Sequence, residues 1–169
     1  MQPNENLIRE NLDLLNQAVV LLERVPEDSH TNEVLGQKMG KQMRHVLEFY
    51  DCFLANLPSL HVDYSARNRD IAIENDRFIA AAKARELVDA LAACDDVRSD
   101  GVVWVRTEEG EDFTMSSVGR ELQTLASHTT HHFAIIALLL RMQGIEVDRE
   151  FGVSQSTIQY WKKLEKVAA

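Results

Sequence analysis

The sequence has little of what divides a chain into many short elements. Its 169 residues include only seven glycines and three prolines. Since these two residue types mark turns and breaks, their scarcity favours long helices over many short strands. An apolar share of 45% and a charged share of 27% are ordinary for a globular protein. The length suits one domain, spanning residues 1–169, with a proper hydrophobic core.

The chain also lacks a membrane-length apolar run, an excess of basic residues and closely spaced cysteines. The longest apolar run, residues 133–140, is far shorter than the roughly 20 residues of a membrane-spanning helix, so we expect no membrane partner. Eighteen basic and 27 acidic residues give a net charge of −9, which opposes binding to nucleic acid. Cys52 and Cys94 are expected to be buried thiols in a reducing compartment. The N-terminus has no signal-peptide pattern, so a cytoplasmic location is expected.

Apolar residues recur at helical spacing in four long segments, at about residues 4–25, 31–56, 69–93 and 117–143. Before the fourth segment, GVVWVRTEEGEDFTM places β-branched and aromatic residues on either side of an acidic turn, which predicts a β-hairpin. A further helix is expected at about residues 154–167. The predicted fold class is all-α: an antiparallel four-helix bundle with a small β-hairpin insertion and an extra C-terminal helix.

Three histidines lie close together on the fourth predicted helix. His128 and His132 are four residues apart and therefore share a face, which is a standard two-point metal chelate. His131 lies about 100° around the helix from His132 and is expected to face elsewhere. A third ligand has to come from another helix, and His45, beside the core face of the second helix, is the candidate. Three histidines would leave a coordination position open, as in reactive metal centres.

Other catalytic motifs are absent. No glutamate precedes His45, His128 or His132 by three residues, as in di-iron bundles, and there is no HExxH. No glycine-flanked serine follows a predicted strand, so a serine nucleophile has no support. Histidines on helices often serve only structure, so a non-catalytic binding bundle stays an open alternative. His30 and His61 lie in predicted loops, where we expect them to be solvated.

The C-terminal stretch FGVSQSTIQYWKK resembles the turn and recognition helix of a helix-turn-helix DNA-binding protein. Gly152 could open the turn, and the lysines after it could contact phosphate. Acidic residues occupy three of the five positions 146–150, where the preceding helix would lie, and the whole chain is acidic. DNA binding is therefore the less favoured alternative, and no nucleic-acid partner is expected.

Two stretches, GKQMRHVLEFYDCFL and RELQTLASHTTHHFAII, resemble the DinB-like superfamily, as do DYSARNRDIAIEND and FGVSQSTIQYW. The resemblance covers nearly the whole chain. It implies an up-down-down-up four-helix bundle, often a homodimer, in which His45, His128 and His132 hold a divalent metal. Superfamily activities include metal-dependent transfer of low-molecular-weight thiols. Related sulfoxide synthase modules bind iron through HxxxHxE, and Ala134 in place of that glutamate argues against their activity.

The expected function is therefore metal-dependent thiol transfer or hydrolysis acting on a small molecule, at an open three-histidine site. Imidazole suits zinc, nickel and iron alike, so the sequence leaves the metal, the substrate and the reaction undetermined. His131, Tyr50 and Glu48 are the candidate neighbours of the metal.

Overall fold

The computed structural model describes residues 3–94, 100–107 and 110–168 of the chain, and these are mostly helical with small sheets. This confirms the largely helical fold that the sequence predicts. The helices are α1 (Pro3–Arg24), α2 (Met39–Asn56), α3 (Ile71–Asn75), α4 (Arg77–Ala92), α5 (Val118–Met142) and α6 (Gln155–Ala168). The strands are β1 (Glu33–Val34), β2 (Gln37–Lys38), β3 (His61–Asp63), β4 (Val102–Arg106) and β5 (Thr114–Ser117).

The core lies between the long helices. Helix α1 packs on α4 and α5, and α2 packs on the same two helices. Fully buried side chains include Leu15, Met43, Phe53, Leu125 and Ile136, and each such burial contributes about 1.5–3 kcal/mol to stability. Within the described residues, no helix combines the length and the apolarity that a membrane crossing requires.

Helix α2 begins later than the sequence predicts. Leu35 and Gly36 have φ angles of 53° and 73° and form the turn between the antiparallel strands β1 and β2. A left-handed residue pair suits a two-residue hairpin turn and is incompatible with a right-handed helix. The prediction of helix from about residue 31 was therefore wrong for this stretch, because its periodicity does not reveal the backbone of the turn.

The third predicted helix is two helices. Asp76 follows α3 in an extended conformation (φ −134°), and its carboxylate accepts from the backbone N–H of Phe78 at 2.7 Å and of Ile79 at 3.2 Å. Aspartate is a favoured residue at a helix N-cap for this reason. The predicted continuity across residue 76 was wrong, because a side chain cap competes with the helical backbone.

The predicted hairpin is confirmed and gains a third strand. Strands β4 and β5 are antiparallel, with Trp104 opposite Met115, and residues 108–109 of their connection lie outside the described part. Strand β3 pairs with β4 in parallel, with His61 opposite Trp104, which the sequence did not predict. Strand β5 leads directly into α5, whose first turn is capped where Ser117 Oγ accepts from Arg120 N at 3.2 Å. The sheet therefore lies at the N-terminal end of α5.

The segment between α5 and α6 is held against α5. Phe151 is buried and stacks on Phe133, with ring centroids 4.5 Å apart. Gly152 has a φ of 73°, and a Cβ there would lie 2.5 Å from the backbone nitrogen of Ala134, so only glycine fits this close approach. Residues 143–154 contain no helix. The first helix of the helix-turn-helix alternative is therefore not formed in this part of the chain.

Neither Cys52 nor Cys94 forms a disulfide with any described residue. Cys52 is buried, as predicted, and its thiol donates to the carbonyl oxygen of Asp63 at 3.1 Å. Cys94 is only half-buried, at the end of α4. Burial raises the pKa of the Cys52 thiol to about 11, so it is protonated at neutral pH.

Candidate metal centre

The three candidate histidines meet between α2 and α5. The Nε2 atoms of His45 and His128 are 3.1 Å apart, and one ring nitrogen from each of the three lies within 4.8 Å of the others. Ligands of a tetrahedral zinc ion lie about 3.4 Å from one another, because each is about 2.1 Å from the metal. The observed separations need only small side-chain rotations to reach that arrangement. The cluster could therefore hold a metal ion.

The local sequence explains why these rings converge. His128 and His132 are one turn apart on α5, with ring centroids separated by 4.4 Å. The centroid of His45, on α2, lies 4.9 Å and 4.7 Å from those two rings. Gln42 contacts His132 while His45 contacts His128, so α2 and α5 run in opposite directions at this point. All three histidines are half-buried, so they are sheltered but open to an incoming ion.

Two of the imidazoles are neutral at physiological pH. Burial, with the neighbouring His132 and His45, lowers the pKa of His128 to about 3. Burial, with the neighbouring His45, lowers the pKa of His132 to about 4. A neutral imidazole is the form that binds a metal. Nδ1 of His128 is also buried without a hydrogen-bond partner, and buried polar atoms are rarely left in this state. The donor set thus fits a cation.

Gln42 orients His132. Nδ1 of His132 donates to Gln42 Oε1 at 2.6 Å, and Gln42 Nε2 in turn donates to Gln37 Oε1 at 2.9 Å. The proton on Nδ1 leaves the lone pair of the other ring nitrogen free for a metal, a common arrangement behind metal-bound histidines. Sequence reasoning missed this residue. The available signal was its position three residues before His45, on the same face of α2.

An aromatic and cationic wall covers one side of the cluster. The Phe49 ring lies 4.2 Å from the His128 ring and 4.9 Å from the His45 ring, centroid to centroid. The buried guanidinium of Arg67 stacks 4.1 Å from the Phe49 centroid, and its Nη1 donates to the carbonyl oxygen of Tyr64 at 2.8 Å. Sequence reasoning did not place Phe49 or Arg67 at the metal site.

The predicted neighbours of the metal divide into two groups. His131 is exposed, as expected, and only its ring edge approaches His132, with centroids 5.2 Å apart. Tyr50 is fully buried, and its hydroxyl donates to Asn11 Oδ1 at 2.7 Å. Glu48 is buried and accepts from the backbone N–H of Asp70, while burial raises the pKa of its carboxyl. The structure does not bring Tyr50 or Glu48 to the three histidines.

The two loop histidines differ from each other. His61 is exposed, as predicted. His30 is fully buried, and its Nε2 donates to the carbonyl oxygen of Ile73 at 3.0 Å, so the prediction that it is solvated was wrong. Burial lowers the pKa of His30, which keeps the ring neutral. The ring packs under Gly40 at the start of α2, a contact between distant segments that local sequence does not reveal.

A second polar cluster lies beside the Phe49 wall. Glu121 is buried on α5, where its Oε1 accepts from Ser116 Oγ at 2.6 Å and its Oε2 accepts from the Tyr64 hydroxyl at 3.1 Å. Burial, together with the Glu121 charge, raises the pKa of Tyr64, so its hydroxyl remains a donor. The Tyr64 ring stacks on Phe49, with centroids 5.0 Å apart. Sequence reasoning did not identify Glu121 as a site residue, although its seven-residue spacing puts it on the same face of α5 as His128.

The chain is similar to a known protein over part of its length. No family model and no solved structure matches the chain. Among the curated proteins, FK506-binding protein 5 of Rhizopus delemar is 31% identical over an alignment of 107 residues that covers 60% of this chain. The match spans only 28% of the length of that relative. None of these comparisons bears on the DinB-like resemblance, which stays a proposal.

Proposed function

We propose that the chain is a DinB-like metal-binding protein in which His45, His128 and His132 hold one divalent cation. The observation that supports this most strongly is the convergence of one ring nitrogen from each histidine to within 4.8 Å. Two of these rings are neutral at physiological pH, and Gln42 fixes the tautomer of one of them. Zinc, nickel and iron all suit imidazole ligands.

The proposed architecture is the up-down-down-up four-helix bundle of that superfamily. The packing of α1 and α2 on both α4 and α5 supports it, as does the opposite direction of α2 and α5 at the histidines. We also propose the homodimer that the resemblance implies. Light scattering coupled to size-exclusion chromatography measures this directly: about 38 kDa supports the dimer, since one chain weighs 19.2 kDa, and a mass of one chain contradicts it.

The proposed activity is thiol transfer or hydrolysis on a small molecule. A cation with an open position supplies Lewis acidity, which lowers the pKa of a bound water or thiol toward neutrality. The three histidines hold the ion, and Gln42 orients His132. Phe49 shields one side of the site from water, which strengthens electrostatic interactions within it.

Metal content tests the proposal. Chelator-treated protein is incubated separately with zinc, nickel and ferrous iron, dialysed, and analysed for bound metal by mass spectrometry. We expect about one equivalent per chain in the wild type and a large loss in H45A, H128A and H132A. H131A is the matched control, because His131 is the exposed neighbour of a ligand and should leave the content unchanged. Unchanged content in all three ligand variants contradicts the site.

A non-catalytic role has one observation in its favour. Nε2 of His128 and Nε2 of His45 are within hydrogen-bond distance, so this pair can join α2 and α5 without any metal. Thermal unfolding with and without a chelator separates the two functions. A metal bound only to the folded state adds about 4 kcal/mol at a thousandfold excess over Kd and raises the Tm. A Tm that no divalent metal changes supports purely structural histidines.

A further inference from the structure

A cavity of about 570 Å³ lies where the sheet meets the first half of α5. Phe49, Val105 and Met115 supply apolar walls, and Arg120, Glu121 and Thr124 supply its polar groups. This size lies within the usual range of small-molecule sites, which combine apolar walls with a few polar groups. The three proposed metal ligands are not among its lining residues.

Arg120 brings an uncommitted positive charge to this cavity. Its Nη1 donates to Thr124 Oγ1 at 2.9 Å, and among the described residues its side chain forms no ion pair. The side chain is exposed, and the remaining guanidinium N–H groups are available to an oxygen ligand. A guanidinium fork matches the two oxygens of a carboxylate. The charge therefore favours an anionic ligand.

Glu121 restricts which anion fits. Its carboxylate lines the same cavity and is fixed by the hydroxyl groups of Ser116 and Tyr64. Like charges repel strongly in partly desolvated sites. One arginine beside one fixed carboxylate therefore tolerates a singly charged ligand better than a doubly charged phosphate monoester.

The cavity adjoins the histidine cluster through Phe49 and α5. Phe49 lines the cavity and contacts the rings of His45 and His128. The Arg120 guanidinium reaches Thr124, which is one turn before His128 on α5. One turn is about 5.4 Å along a helix axis. An anion held by Arg120 would therefore place the rest of a small molecule beside the cluster.

We infer that this cavity binds a small organic monocarboxylate, with the carboxylate on Arg120 and the apolar body against Phe49 and Met115. As an assignment of the substrate class, the inference rests on the proposed metal-dependent function. The anion site itself is defined by the cavity and by Arg120, and it does not require the metal to form.

Hexanoate, hexanol and hexyl phosphate are suitable probes, because they share an apolar chain and differ in charge. Each is titrated into isotopically labelled protein, once metal-free and once with zinc, while amide resonances are followed by NMR. We expect hexanoate to bind most tightly and to shift the amides of Thr107, Thr114 and Thr124, which line the cavity. We expect Arg120→Gln to weaken hexanoate roughly tenfold, as loss of a charge-assisted hydrogen bond does.

Arg141→Gln is the matched control, because Arg141 is an exposed arginine in the last turn of the same helix, and it should leave hexanoate binding unchanged. Hexanol binding as tightly as hexanoate, or an unchanged affinity in Arg120→Gln, overturns the inference. If hexyl phosphate binds more tightly than hexanoate, the monocarboxylate assignment is overturned. Hexanoate binding to protein that takes up none of zinc, nickel or ferrous iron supports the anion site and contradicts the proposed function. Metal uptake without hexanoate binding supports the proposed function and contradicts the anion site.

Discussion

Replacing Gln42 with methionine tests the orientation of the metal site without removing a proposed ligand. Methionine is close to glutamine in length and volume but offers His132 no oxygen. The hydrogen bond that is lost is short, at 2.6 Å, and its acceptor residue is only 9% exposed, so water replaces it poorly. Removing such a partner behind a ligating histidine typically weakens metal binding by 10–100-fold, or about 1.4–2.7 kcal/mol.

The assay is a competition titration of zinc against a chelating indicator, with chelator-treated protein at neutral pH. We expect Gln42→Met to raise the zinc Kd by that factor and to leave the stoichiometry at about one ion per chain. Gln37→Ala should have a smaller effect, because Gln37 accepts from the amide nitrogen of Gln42 and reaches His132 only through Gln42. Gln123→Met, at an exposed position on α5, is the matched control. A Gln42→Met protein that folds normally and binds zinc within about twofold of the wild type refutes the reasoning.

Three further predictions concern the scaffold. Gly40→Ala should lower the free energy of unfolding by about 1–3 kcal/mol in urea titrations, because the new Cβ would overlap the carbonyl oxygen of Glu74. Arg106 lowers the pKa of Asp63, so the ion pair stabilises the fold above the unfolded-state pKa of about 3.9 and this contribution is lost as the pH falls through the folded-state value. Asp63→Asn should therefore reduce the stability difference between neutral and acidic pH. Leu35→Asn should raise the Tm, since leucine at a φ of 53° costs about 1–2 kcal/mol that asparagine largely avoids.

Each of these predictions has its own control or contrary result. Lys41→Ala, at the exposed neighbour of Gly40, should change the stability little, and an equal loss in both variants contradicts the close-packing argument. Asparagine at position 63 can still accept from Ser65 N. If the stability of Asp63→Asn depends on pH as much as that of the wild type, the charge of Asp63 does not cause the loss of stability in acid. A lower Tm in Leu35→Asn contradicts the account of the β1–β2 turn.

The features that sequence predicts well are those encoded by local periodicity. The apolar spacing of α1, α2 and α5 reflects burial of one helix face, and it gave their existence and most of their bounds. The four-residue spacing of His128 and His132 follows from the same geometry. Placing His45 opposite them required only that His45 lie beside the core face of its own helix. The structure brings these three histidines together, while the identity of any bound metal stays a prediction.

The features that sequence missed depend on contacts between distant segments. The parallel pairing of β3 with β4 joins residues that are about 40 positions apart, and nothing in HVD alone indicates its partner. The burial of His30 depends on α2 and α3 packing over a loop. Gln42 orients a proposed ligand only because His132, on α5, faces it across the interface between α2 and α5. Side-chain orientation across an interface is a tertiary property, so one helical pattern cannot specify it.

The most direct test of the central claim is the location of zinc in crystals of the zinc-loaded protein, measured by anomalous diffraction at the zinc edge. We predict one strong peak with a ring nitrogen of His45, of His128 and of His132 each at about 2.0–2.1 Å. A zinc peak elsewhere in the molecule, or one that leaves any of these three imidazoles uncoordinated, contradicts the account.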